Sequence, residues 1–409
     1  MGYRFFGSDD FQFRVEIALG CVGYGLGDVG EVLATIENIT DGSDQEWFDA
    51  FLALARRVEG IADDCAAAGH EVSARDTYLR ACTYYSYANE AVQGLDDPAP
   101  LVPTFKSHRR CWDEFAARCN PPIEPVAIPY EGRTMPGYFM KVDDSGAPRP
   151  TVILTNGSDG AITAMYMVGL PAIQRGYNAL IYDGPGQQSM LFLDNIPFRP
   201  DWENVVTPVV DYALTRPEVD PTKLVLYGCS QAGYWVPRAL AFEHRFAAAV
   251  ADPGVVDVST SWAEHLPQPL LNLLAAGKSE EFNKYMSPGL ESSPAERREW
   301  NFRSRPYGSD DPYEVFKAVQ QYNVRPVVDK ISTPILVCDP EDEQCWPGQP
   351  KELFDLIKGP KERVVFTAAE GANRHCEPMG RKLTDQRMFD WIATILDPEL
   401  EVSARADNP

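Results

Sequence analysis

No stretch of this 409-residue chain stays apolar for the ~20 residues that a helix needs to cross a bilayer, which excludes a helical membrane anchor. Basic residues are also short: 37 Lys and Arg stand against 60 Asp and Glu, a net charge of −23. A nucleic-acid or anionic-membrane binder needs a basic face, so neither partner is expected. The nine cysteines form no CxxC pair and no framework spacing, which argues against a disulfide scaffold and favours reduced thiols in a cytoplasmic protein. Clusters of Asp, Glu and His with metal-ligand spacing are missing. No metal and no cofactor is therefore expected. Gly25–Gly30, GLGDVG, matches the dinucleotide-loop spacing but follows no strand, so it lacks the context such a loop requires. The N-terminus, MGYRFFGSDDFQF, carries acidic residues ahead of its first apolar run and does not read as a signal peptide. Internal repeats are absent.

What is present is a soluble composition, 44% hydrophobic and 24% charged, in a chain long enough for a sizeable core. Residues 1–122 read as helical. Trp47, Phe51, Leu54, Val58, Ile61 and Cys65 recur at steps of four and three, one buried helical face ended by Gly69. Ser73, with Asp76 three residues on, has the spacing of a cap for a second helix. That helix carries Tyr78, Tyr84, Tyr85 and Tyr87, which read as packing residues. A third helix is expected over 104–117. From Glu124 the period changes to that of strands. EPVAIPY and MPGYFMKV flank EGRT as a hairpin; PTVILTN, YNALIYD, LVLYG, FAAAVADPG, TPILVCD and RVVFTA follow, mostly separated by helical segments. This alternation predicts a mostly parallel, doubly wound α/β core over 123–255 and 329–400. An aromatic-rich helical insertion interrupts it at 256–328, and a polar tail, expected to fray, closes the chain at 401–409.

The chain is organised around Lys223–Gly233, KLVLYGCSQAG. A short apolar run of strand type stops at Gly228, Ser230 follows, and Ala232 and Gly233 open a helix. Such a G-x-S-x-small turn lifts a serine hydroxyl clear of a sheet and aims helix-start amides, Gln231 first, at a developing oxyanion. The order serine, acid, histidine then asks for partners downstream. Of His70, His108, His244, His265 and His375, only His375 lies in a loop after a terminal strand, in EGANRHCEP. It is placed to take the Ser230 proton and return it to a leaving group. The loop CDPEDEQCWP offers Asp339, Glu341, Asp342 and Glu343. Counting back four residues from Pro347 reaches Glu343, with Asp342 beside it as the alternative. A second oxyanion donor is expected from Asn156-Gly157-Ser158-Asp159-Gly160, with the Ser158 amide as candidate. Asp159 is a candidate to contact substrate or to pin this loop. Asp183–Gln187, DGPGQ, reads as a structural turn.

These residues carry a resemblance. GLGDVGEVL, AAAGHEVSARDTYLRACTYY, IPYEGRTMPGYF, TNGSDG, YDGPGQ, GCSQAG, GQPKELFDLIKGPKERVVF and EGANRHC together resemble the α/β-hydrolases with a helical N-terminal region. These are related to the fermentation-respiration-switch esterase-like proteins, and the nearest types are dihydroxypseudooxynicotine hydrolases and fungal heptaketide-shortening hydrolases. The resemblance spans nearly the whole chain. It implies the α/β-hydrolase fold with a cap from the N-terminal helices and the insertion, Ser230 as nucleophile, His375 as base, an acid within 339–343, and metal-independent hydrolysis. Several members cleave a carbon–carbon bond next to a ketone. Two departures stand out: Glu343 falls where relatives usually place aspartate, and Gln188 where glycine is common. The expected activity is hydrolysis of a ketone or ester of an aromatic or polyketide-like small molecule through an acyl-enzyme. An acyltransferase, a short-peptide hydrolase and a non-catalytic binding protein on the same scaffold are the alternatives. The N-terminal helices are candidates for cap, homodimer contact or both.

Overall fold

The apolar runs of the sequence become strands of one sheet in the computed structural model, which describes residues 3–397 apart from residue 265 and the side chains of 294 and 295. His265 and the tail expected at 401–409 lie outside the described residues. Glu131 and Gly132 both take positive φ, 43° and 79°, the geometry of a two-residue hairpin turn. They join β1 (Glu124–Tyr130) to β2 (Arg133–Met140). The remaining strands are β3 (Arg149–Thr155), β4 (Asn178–Tyr182), β5 (Val219–Cys229), β6 (Ala248–Asp252), β7 (Ile335–Pro340) and β8 (Lys361–Phe366). Their spatial order is β1-β2-β4-β3-β5-β6-β7-β8. β2 runs antiparallel to β4, and every pairing from β4 to β8 is parallel. Leu154 lies opposite Tyr227, Tyr227 opposite Val250 and Val250 opposite Leu336. These central positions are buried on both faces, which is why their strands read as unbroken apolar runs rather than alternating ones.

The strand order reverses between β3 and β5, because β4 lies on one side of β3 and β5 on the other. In open α/β sheets the crevice at the carboxyl ends beside such a reversal is where ligands bind. The loops after β3 and β5 are the two that carry TNGSDG and GCSQAG.

The described chain divides into two units, residues 3–125 with 288–303 and residues 126–287 with 304–397. The stretch 256–328 is thus shared between them, with 288–303 belonging to the helical unit. That unit contains α1 (Asp9–Gly20), α2 (Val29–Ile36), α3 (Asp44–Ala67), α4 (Glu71–Ala91) and α5 (Leu101–Ala117). Its core is aromatic: Trp47 lies 4.7 Å from Phe51 and 5.4 Å from Phe11, and its indole donates to the Tyr87 carbonyl. Three of the buried α4 tyrosines place their hydroxyls on acids, Tyr84 on Glu31 at 2.6 Å, Tyr78 on Asp63 at 2.6 Å and Tyr85 on Glu59 at 2.5 Å. GLGDVG does no phosphate work either. The Asp28 carboxylate accepts from the Gly30 and Glu31 amides, capping α2 with the donors a phosphate would need.

Three helix starts differ from the sequence reading. α4 begins at Glu71, not after Ser73, because Gly69 at φ 75° reverses the chain within two residues and Ala74 already donates to the His70 carbonyl. α5 begins at Leu101, since Pro103 in a first turn has no helical hydrogen bond to lose. The last helix, for which the sequence pattern predicts a start at Thr384, spans Arg381–Leu396 and opens on a buried arginine described below.

Candidate active site

Ser230 joins β5 to the helix Ala232–Leu240 with φ 57°, a left-handed conformation that costs a non-glycine residue about 1–3 kcal/mol. Neighbouring atoms hold it there. Its amide donates to the Asp252 carbonyl at 2.7 Å, and its carbonyl accepts from the Gly233 amide at 2.7 Å. The small residues of the turn are required sterically. A Cβ on Gly228 would sit 2.5 Å from Val236 and 2.6 Å from the Ala232 carbonyl oxygen, and one on Gly233 would collide with the Pro253 carbonyl.

His375 comes from the loop after β8, and its Nε2 lies 2.9 Å from Ser230 Oγ. Its Nδ1 is 2.9 Å from both Glu343 oxygens. Glu343 Oε1 also accepts from the backbone amides of residues 345 and 346, at 2.8 and 3.1 Å. Glutamate and imidazole are both buried. Burial alone disfavours a charged ring, but the charge and hydrogen bond of Glu343 outweigh it, and the His375 pKa is raised. The other carboxylates of this loop are engaged elsewhere: Asp342 accepts from the Asn373 side chain, Asp339 pairs with Arg363 at 2.8 Å, and Glu341 accepts from the Ala368 amide. The structure therefore brings Ser230, His375 and Glu343 into one chain of hydrogen bonds and leaves Asp342 outside it.

The loop after β3 presses on the serine. A Cβ on Gly157 would lie 2.8 Å from the Ser230 Cβ, so only glycine allows this approach. Asn156 braces the loop across its own turn, accepting from the Gly157 amide and donating to the Gly160 carbonyl. Gln187 donates to the carbonyls of Asn156 and Gly157 at 2.7 and 3.1 Å. Gln188 holds the Asp159 carbonyl at 3.2 Å, while the Asp159 carboxylate accepts from the Ser158 hydroxyl at the exposed rim. Ser158 follows the glycine packed on Ser230, and Gln231 follows Ser230 itself.

Beneath the serine lies a buried ionic knot. Asp252, whose carbonyl receives the Ser230 amide, accepts through its carboxylate from Tyr227 at 2.7 Å and Arg381 at 2.9 Å. Arg381 also donates to the Cys376 carbonyl and lies 3.6 Å from Glu377. Cys376 and Glu377 both have positive φ directly after His375, so the arginine clamps the strained segment that aims the imidazole. Burial, reinforced by the charge of Asp252, pushes the Glu377 carboxyl well above the usual range. On the far side of the helix start, Tyr307 from the insertion lies 3.4 Å by its hydroxyl from the Gln231 side chain. Its ring packs against Phe198, Trp262 and Tyr322 at 5.3–5.5 Å.

Sequence reasoning did not single out Gln187, Asp252, Arg381 or Tyr307. Gln187 sat in a motif read as a mere turn, and it is the brace of the neighbouring loop. Asp252, at the end of a buried strand, was a detectable signal, because a carboxylate there needs a cationic partner. No local pattern marks Arg381 or Tyr307.

Comparison with known proteins agrees with this fold. The profile of the prolyl oligopeptidase family matches residues 173–297. The chain is similar to the hydrolase LUC6 of a Fusarium species, 27% identical over 95% of this chain and 97% of that one. It is similar to the 20-hydroxy-prefusarin hydrolase FUS2 of Gibberella moniliformis, 26% identical with the same coverage. Among solved structures, 2,6-dihydroxy-pseudo-oxynicotine hydrolase shares the fold, with a TM-score of 0.72 at 20% identity, over 93% of this chain and 96% of the other. The order of the sheet, the elbow at its centre and these full-length similarities lead to one conclusion: the chain has the α/β-hydrolase fold.

Proposed function

We propose that the protein is a serine hydrolase that acts through an acyl-enzyme on a ketone or ester of an aromatic or polyketide-like small molecule. The observation that carries this reading is the continuous hydrogen-bonded line from Ser230 Oγ through His375 to Glu343, with every link at 2.9 Å. Ser230 Oγ attacks the substrate carbonyl as its proton passes to His375 Nε2, and Glu343 stabilises the resulting imidazolium. The amides of Ser158 and Gln231 receive the oxyanion; the close approach of Gly157 and the position of Gln231 at a helix start support that assignment. The tetrahedral adduct collapses with its leaving group taking the Nε2 proton. An alkoxide leaving group makes the reaction ester hydrolysis, and an enolate makes it a retro-Claisen cleavage of a carbon–carbon bond. Water, deprotonated by His375, then releases the acid and restores Ser230.

The aromatic cluster of Phe198, Trp262, Tyr307 and Tyr322, which reaches the Gln231 side chain through Tyr307, supports a flat substrate, as does the similarity to a hydrolase named for 20-hydroxy-prefusarin. Turnover of β-diketones and aryl esters by the wild type, and its loss in Ser230→Ala with an unchanged circular-dichroism spectrum, is the expected result. Labelling of Ser230 by a fluorophosphonate should accompany it. Activity retained by Ser230→Ala would sink the mechanism, and an unlabelled, inert chain would point to a binding protein. The prolyl oligopeptidase match over 173–297 favours a second reading, cleavage of short peptides. Aminoacyl anilides in the same panel separate it from the first.

A further inference from the structure

We infer that Glu343, Cys345 and His375 form an inhibitory site for a thiophilic divalent cation of the Zn²⁺ type. One carboxylate oxygen, the Cys345 thiol sulfur and a ring nitrogen of His375 all lie within 4.8 Å of one another. The nitrogen that faces Glu343 is Nδ1. Ligands of a tetrahedral zinc, at about 2.0–2.3 Å from the metal, stand roughly 3.5 Å apart, so a turn of the cysteine side chain and a swing of the Glu343 carboxylate, now 2.9 Å from Nδ1, away from the ring complete three of four positions. Sulfur, imidazole and carboxylate together select zinc-like ions over Mg²⁺ or Ca²⁺, which take oxygen ligands. Two ligands are held close together already. The amides of residues 345 and 346 orient the Glu343 carboxylate, and the Trp346 ring packs 5.8 Å from the imidazole. Cys345 is partly exposed, which provides an entry path to a pair that is otherwise buried.

The chemistry of Nδ1 makes the site inhibitory. In the working tautomer Nδ1 carries the proton shared with Glu343, and Nε2 presents its lone pair to Ser230. A cation bound through the Nδ1 lone pair forces the ring proton to Nε2, by way of solvent. Nε2 then donates to Ser230 Oγ and can no longer accept its proton. The thiol proton of Cys345 is released to solvent, and the carboxylate exchanges its hydrogen bond to the ring for a bond to the metal. Nothing is oxidised or reduced. The inhibitory outcome rests on the hydrolase reading above, whereas the site itself does not.

The test uses the full-length, reduced protein in a non-chelating buffer. Micromolar Zn²⁺ should stop aryl-ester turnover, EDTA should restore it, and Mg²⁺ at the same concentration should have no effect. Cys345→Ser and Cys345→Ala retain the backbone amide that orients Glu343 and, relative to their own metal-free turnover, should need at least about tenfold more zinc for inhibition. Co²⁺ should produce a thiolate-to-cobalt charge-transfer band in the wild type and in Ser230→Ala, but not in either Cys345 variant. A wild type without that band, or a Cys345→Ser enzyme as zinc-sensitive as the wild type, overturns the inference. A chain that binds Co²⁺ through Cys345 yet hydrolyses nothing overturns the hydrolase reading and leaves the site standing.

Discussion

Replacing Glu343 by glutamine tests the whole hydrogen-bonded line with the change of one atom. In the native geometry Oε1 accepts from two backbone amides as well as facing Nδ1, and Oε2 accepts from Nδ1 alone. The glutamine oxygen must take the Oε1 position, because an NH₂ group there would confront two N–H donors. The NH₂ group then points at Nδ1, favours the ring tautomer with its proton on Nε2, and leaves Ser230 without a base. The corresponding acid-to-amide change in a serine triad lowers kcat by about 10⁴, or about 5 kcal/mol of transition-state stabilisation. The fold should survive, since the volume is unchanged and two of the hydrogen bonds persist. The assay is kcat/KM for an aryl ester against pH, with thermal melts alongside. In the wild type, activity should fall as pH drops through the raised His375 pKa, above the ordinary imidazole value of about 6.5. In Glu343→Gln the raising charge is gone and burial remains, so the residual acid limb should move to lower pH. Stability should follow the opposite sense: protonation of His375 beside Glu343 stabilises the fold below about pH 6.5, and that contribution fades as pH rises through the folded value. The Tm deficit of Glu343→Gln should accordingly be larger on the acid side. An activity within tenfold of wild type in Glu343→Gln, with a large loss in Asp342→Asn, would refute the assignment of the acid.

Gly157→Ala places a Cβ 2.8 Å from the Ser230 Cβ, so the loop or the serine must shift; kcat should fall by about 10² or more, with little change in KM or Tm. An alanine enzyme of normal kcat would show that the loop does not press on the reacting centre. Arg381→Met removes the cation between Asp252 and Glu377 and leaves buried acids unpaired, which should cost about 3–5 kcal/mol in urea unfolding. A loss below about 1 kcal/mol would mean that the knot is not holding the His375 segment.

The layered α/β core was legible because burial writes itself into local pattern. PTVILTN, YNALIYD and LVLYG are apolar runs for strands covered on both faces, and GCSQAG is small because strand and helix cross within contact distance at Ser230. The chain order of Ser230, an acid and His375 followed from those runs, since successive parallel strands deliver their loops to one edge. Helix starts were less legible: Ser73 has a capping sequence, but the tight turn at Gly69 began the helix earlier. Tertiary structure alone sets which of Glu343 and Asp342 faces His375. They are adjacent and chemically alike, and only the direction of each side chain, toward His375 or toward Asn373, separates them. The same holds for the meetings of Arg381 with Asp252, of Tyr307 with Gln231 and of Cys345 with His375, pairs that lie 129, 76 and 30 residues apart in the chain. Spacing along the chain contains no metal-ligand pattern, yet two loops fold sulfur, nitrogen and oxygen to within 4.8 Å. Periodicity records which face of an element is buried, whereas a site is a meeting of side chains from distant loops, and distance in space is set only once the sheet has formed.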